Sequence, residues 1–144
     1  WQAMDEAYGH PFSLGFRVFA GRDIKKPTVG VIYAEGSASK RFGDAEFTVN
    51  PRLAAFGKEL RAGLGLGVSY DFTDSLTAIA ELTPLRGDKP VWALGIRKSF
   101  EQAPFTLDLY TTNAAGLNGI GSLLSNDKPQ IGVSIHWETG FDWL

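Results

Sequence analysis

Residues 60–72, LRAGLGLGVSYDF, alternate without interruption: Leu60, Ala62, Leu64, Leu66, Val68, Tyr70 and Phe72 fall on one side, and Arg61, Gly63, Gly65, Gly67, Ser69 and Asp71 on the other. A period of two held over this length predicts a long strand with two unlike faces. The same period organises PFSLGFRVFAG, where Phe12, Leu14, Phe16 and Val18 oppose Ser13, Gly15 and Arg17. In VWALGIRKSF, Trp92, Leu94, Ile96 and Phe100 oppose Ala93, Gly95 and Arg97. PFTLDLYTT sets Phe105, Leu107 and Leu109 against Thr106, Asp108 and Tyr110, and QIGVSIHW sets Ile131, Val133, Ile135 and Trp137 against Gly132, Ser134 and His136. TVGVIYAEG (28–36), AEFTVN (45–50) and SLTAIAEL (75–82) are further predicted strands whose facing stays open.

Turn signals separate these eight strands: RDIKKP, SASKRFGD, FGKE, DFTDS, LRGDKP, EQAP and one long connection, residues 113–129, before the last strand. Mostly short connections imply antiparallel neighbours in an up-and-down sheet. NPRLAAFGKEL reads two ways, as a short helix capped by Asn50 with Pro51 at its first position, or as a strand running on through Phe56. The long connection carries Leu117, Ile120, Leu123 and Leu124 at spacings that suit a short helical turn.

Composition narrows the class. At 144 residues the chain fits one domain, residues 1–144. It opens at Trp1 without a leader, as a mature or excised segment would. Seventeen glycines beside 12% aromatic residues favour strands over helices. Lysine and arginine number 14 against 16 acids, with no clustered basic surface, which argues against nucleic acid as a partner. The absence of cysteine removes disulfides and thiol chemistry. No apolar run approaches the roughly 18 residues of a membrane helix.

The two faces decide the environment. A soluble barrel turns charge to water and fills its interior with large apolar groups. Here one face is leucine, valine, phenylalanine and tryptophan, and the other is glycine, small polar residues and isolated charges. That second face suits the crowded interior of a small closed barrel, so the apolar face is expected to look outward to lipid. An arginine facing lipid at mid-bilayer costs about 2–4 kcal/mol, which turns Arg17, Arg61 and Arg97 inward. Glu46, Glu81, Asp108 and Glu138 are the acids expected to pair with them in an interior network, with His136 as a further hydrogen-bonding member. The alternative is a soluble β-barrel or sandwich that binds a ligand, its apolar faces meeting in the middle.

At this point the chain resembles the small Gram-negative outer-membrane barrels of the OmpA and OmpX kind. GLGVSYDFTDSLTAIAEL looks like their recurring hairpin. QIGVSIHW is similar to the signal that barrel-assembly machinery reads on a last strand, through Gln130, Gly132, Ile135 and Trp137. The resemblance implies an eight-stranded antiparallel transmembrane β-barrel in the bacterial outer membrane, without cofactor. It also implies outer-membrane lipid and lipopolysaccharide as surroundings, and envelope proteins as possible partners. With both ends periplasmic, the outer loops carry Arg22, Lys25, Lys26, Lys58, Arg86, Lys89 and Lys128, charges suited to lipopolysaccharide phosphates. Seven residues follow Trp137, where such barrels end on the aromatic.

Catalytic motifs are thin. SIHWE offers Ser134, His136 and Glu138, the side-chain types of a hydrolytic triad, and a lipid hydrolase is the enzymatic alternative. Residues i and i+2 on a strand stand about 7 Å apart, too far for short side chains to bond directly, so members from a neighbouring strand would be needed. GLGLGV lies inside a strand and opens no helix, so it makes no phosphate cradle. Two distant histidines make no metal site. A structural, partner-binding or narrow-pore role without catalysis is the expectation.

Overall fold

A computed structural model of the chain describes residues 1–22, 30–85, 87–100, 105–116 and 119–137. Lys25, Lys26, Arg86, Leu117, Glu138 and the turn at 101–104 lie outside the described residues. Nine strands form one antiparallel sheet in sequence order: β1 (Gln2–Met4), β2 (Ser13–Arg22), β3 (Gly30–Phe42), β4 (Ala45–Phe56), β5 (Glu59–Thr73), β6 (Leu76–Thr83), β7 (Val91–Ser99), β8 (Phe105–Ala114) and β9 (Ser125–Trp137). β2 to β9 are the eight strands that the alternation predicts.

The sheet differs from a closed eight-stranded barrel at its ends. β1 is an added strand that pairs with the first residues of β2, Gln2 opposite Gly15 and Met4 opposite Leu14. No ladder joins β9 to β1 or β2 among the described residues, and the sheet is not closed. β1 occupies only the first residues of the β2 edge. Trp1 reinforces it, donating its ammonium to Phe16 O at 3.0 Å and accepting from Phe16 N at 2.9 Å.

Several connections are tighter than the turn signals suggest. SASKRF is strand, and β3 turns into β4 through Gly43 and Asp44 alone. Gly43 sits at φ 60°, a left-handed value that glycine adopts at little steric cost. NPRLAAF is also strand. The β3–β4 pairing sets Glu35 opposite Arg52 and resumes with Ala38 opposite Val49. Pro51, which has no N–H to donate, falls in that gap beside Gly36. A Cβ at Gly36 would come within 3.3 Å of the Pro51 ring, so glycine makes the room. The connection before β9 shortens to residues 115–124, because the β8–β9 ladder extends to Ala114 opposite Ser125. Part of it, Gly119–Leu123, is a 3-10 turn.

That turn rests against β3, β4, β5 and β8 together. Strands so far apart in the sheet can share one neighbour only if the sheet curls round it. Burial alternates accordingly. On β5, Leu64, Leu66, Val68 and Phe72 are exposed while Gly65 between them is buried. Phe16, Leu94, Leu109 and Ile131 are likewise exposed, Ile131 at 82%. The buried apolar residues described are only Tyr33, Ala54, Val91, Ala114 and Leu123. Apolar groups outside and polar groups inside invert the distribution of a water-soluble domain. Aromatic pairs gather toward the end that carries the Gly43–Asp44 and Asp74–Ser75 turns: Phe42 with Phe47, Tyr70 with Phe72, and Phe105 with both Phe100 and Trp137.

Candidate functional site

The concave face gathers charged side chains into separate clusters. At the centre of the largest is Arg52 of β4, its side chain 7% exposed. Nε donates to Glu35 Oε2 at 2.7 Å, and Nη1 donates to Glu81 Oε1 at 2.5 Å and Thr83 Oγ1 at 3.1 Å. Glu35 also accepts from Tyr33 Oη at 2.6 Å and from Arg17 Nη2 at 2.9 Å. Glu35 and Glu81 stand on β3 and β6, so Arg52 must cross β5 to meet Glu81. The glycine face of β5 is what permits this: a Cβ on Gly65 would come within 3.1 Å of Arg52 Nη1. One step along, Gly63 receives Leu123 of the 3-10 turn. A Cβ there would sit 2.6 Å from Leu123 Cδ2. Leu123 is fully buried beside Tyr33 and Ala54 and is packed by Leu85. Ser122 Oγ lies 3.4 Å from Tyr33 Oη, which ties the turn to the ionic cluster.

Nearer the aromatic end, Arg41 Nη1 donates to Asp71 Oδ2 at 2.6 Å, and its Nη2 reaches Glu46 Oε2 at 3.4 Å. Thr77 Oγ1 completes the set by donating to Asp71 Oδ1 at 2.6 Å. On the other side of the sheet, Arg97 grips Asp108 with both arms, Nε to Oδ1 at 2.8 Å and Nη2 to Oδ2 at 2.9 Å. His136 Nε2 stands 3.1 Å from Asp108 Oδ2 and 3.2 Å from Ser134 Oγ. The imidazole thus spans the i to i+2 gap that strand geometry alone had ruled out. The adjacent strand supplies the acid as well, since Asp108 is opposite Ser134. Tyr110 lies over Gly132, its cross-strand partner, where a Cβ would overlap the ring.

At the other rim, Arg61 Nη1 donates to Asp88 Oδ2 at 3.0 Å, and Lys89 Nζ donates to Asp127 Oδ1 at 2.7 Å. The Lys89 N–H and the Arg61 guanidinium hold the Asp88 carboxyl below its usual range. Asp127 raises the Lys89 ammonium above its own.

The predicted residues therefore fall into different groups. Arg97, Asp108 and His136 meet in one cluster. Arg17 and Glu81 join another through Glu35 and Arg52. Glu46 belongs with Arg41, and Arg61 turns to Asp88 at the rim instead of to a predicted acid. Gln130, Gly132, Ile135 and Trp137 all lie on β9, with Ile135 and Trp137 outward. Arg52, Glu35, Arg41, Asp71 and Tyr33 are central residues that the sequence reading did not select. The parity of their strands would have found them, since Tyr33, Glu35 and Arg41 share one face of β3, and Arg52 lies on the face of β4 that carries Glu46. Among the described residues no acid or histidine group is arranged to hold a metal ion. Comparison with family models, with curated proteins and with solved structures found no match to this chain.

Proposed function

We propose that the chain is a β-barrel protein of the bacterial outer membrane with a structural or partner-binding role. The observation that carries this reading is the inverted sheet, on which the outward side chains are mostly apolar while Arg17, Arg41, Arg52 and Arg97 turn inward onto carboxylates. In hydrocarbon a sheet edge has no water to satisfy it, so the finer reading is closure. β9 runs antiparallel to β2 and keeps its apolar residues on the same side, so the two can pair along the β2 edge. Gln130, Gly132, Ile135 and Trp137 then serve as the assembly signal on the closing strand. The Arg52 cluster and the Gly119–Leu123 turn fill the interior, which favours structure or partner contact over a wide pore. Rim charges such as Lys58 and Lys128 are offered to lipopolysaccharide.

Ser134, His136 and Asp108 favour a hydrolase only superficially. A working base bonds the nucleophile through one ring nitrogen and the acid through the other. Here Nε2 faces both groups, and Arg97 already occupies both Asp108 oxygens. The decisive experiment is extraction of the expressed chain. The membrane reading expects release only by detergent, heat-modifiable migration on unboiled gels, and little ion conductance in planar bilayers. A chain that stays soluble and monomeric without detergent sinks it.

A further inference from the structure

The outward face holds a depression of about 550 Å³, within the roughly 300–1,000 Å³ range of small-ligand sites. Residue size creates it. Ala78 and Ala80 of β6 give it a low floor between Val68 and Tyr70 of β5 and Leu94 and Ile96 of β7, and it continues over Leu109 and Thr111 of β8 to Ile131 of β9. The pairing sets these residues in two rows, Val68 with Ala80 and Leu94, and Tyr70 with Ala78 and Ile96.

A cation stands at its foot. Two residues beyond Ile96 on the same outward face, Lys98 is opposite Leu76 and donates through Nζ to Ser75 Oγ at 2.5 Å. Ser75 belongs to the β5–β6 turn, the end where the aromatic pairs gather. Each inward arginine of the clusters above meets a carboxylate. The Lys98 ammonium instead meets a neutral hydroxyl, with no carboxylate within 4.0 Å among the described residues. An apolar trough leading to a positive charge at the level of the aromatic residues has the polarity of one lipid molecule, an acyl chain above an anionic head.

We propose that this depression seats an acyl chain of an anionic phospholipid from the leaflet at the short-turn end, with the lipid phosphate bound by Lys98 and Ser75. The proposal rests on the membrane reading above. Native mass spectrometry of the full chain, released from micelles containing equal phosphatidylglycerol and phosphatidylcholine, tests it. One interfacial lysine corresponds to about a fivefold preference for the anionic lipid on the wild type. Lys98→Gln should bring that preference to parity, and Lys98→Arg should keep it. Ala78→Leu with Ala80→Leu fills the floor and should lower retention of both lipids. Heat-modifiable migration equal to wild type verifies that each variant is folded. A preference unchanged in Lys98→Gln, or full retention by the filled variant, overturns the proposal. A wild type that needs detergent yet shows no preference overturns the lipid site alone, whereas one monomeric without detergent overturns the membrane reading with it.

Discussion

Arg52 shows how one residue links non-neighbouring strands. Its guanidinium satisfies Glu35 on one side and Glu81 and Thr83 on the other, and almost none of it reaches solvent. Two carboxylates are therefore matched to one deeply placed cation. Removing only the cation takes away the ionic partner of Glu81 and leaves Glu35 to Arg17 and Tyr33, and breaking a buried pair from one side costs about 3–5 kcal/mol. Arg52→Met should lose that much in equilibrium unfolding by urea in detergent micelles. Adding Glu35→Gln and Glu81→Gln to Arg52→Met should recover most of the loss, because no buried charge is then left unpaired. A triple variant as unstable as the single one would mean that Arg52 acts through packing and not through charge.

At the scale of elements, the N-terminal segment is held by β3 as well as by its β2 neighbour. Glu6, in the 3-10 turn Glu6–Tyr8, accepts from Lys40 Nζ at 2.7 Å and from the Arg41 N–H at 2.9 Å. Lys40 also donates to Pro11 O. The Lys40 bond, with the Arg41 N–H next in strength, holds the Glu6 carboxyl below its ordinary range. A carboxyl more acidic in the fold than in the free chain stabilises the fold above its ordinary pKa, and that contribution disappears as the pH falls through the lowered folded value. Amide exchange of Gln2–Tyr8 should therefore be protected at neutral pH and lose protection in acid, while Glu6→Gln flattens the dependence. Protection that persists unchanged in acid would assign the segment's order to β1 pairing alone. β1 is also what the sequence hid. Three residues are too few to display a period, whereas β5 announces itself through thirteen alternating positions. Pro51 left β4 ambiguous because a proline in a paired strand is tolerated only where the facing strand gives way, and Gly36 does so from fifteen residues away. The candidate site was legible in its residue types and inward parity. Its partners were not, because Arg52 meets Glu81 across a strand of glycines, a contact that depends on curvature no local pattern encodes.

The whole molecule makes the sharpest distinction, because an inverted surface has opposite consequences in water and in lipid. Leu60 and Leu66 lie on the same outward face of β5, both exposed, with Leu60 at the rim that carries Arg61 and Asp88 and Leu66 midway to Phe72. Six residues at about 3.3 Å each separate them by roughly 20 Å along the strand. In a bilayer an arginine costs about 2–4 kcal/mol at the midplane and about 0–1 near the interface. Leu66→Arg should therefore destabilise the protein folded in liposomes by about 2–4 kcal/mol, and Leu60→Arg by less than about 1. In water both positions are exposed surface, where such substitutions stay within about 0.5 kcal/mol and an added charge improves solubility. Unfolding titrations of the two variants against wild type, in liposomes of one composition, separate the cases. A penalty concentrated at Leu66 marks the middle of the sheet as the lipid-embedded part. Equal small effects at both positions would mean that the apolar coat faces water at both levels, and would overturn the membrane reading.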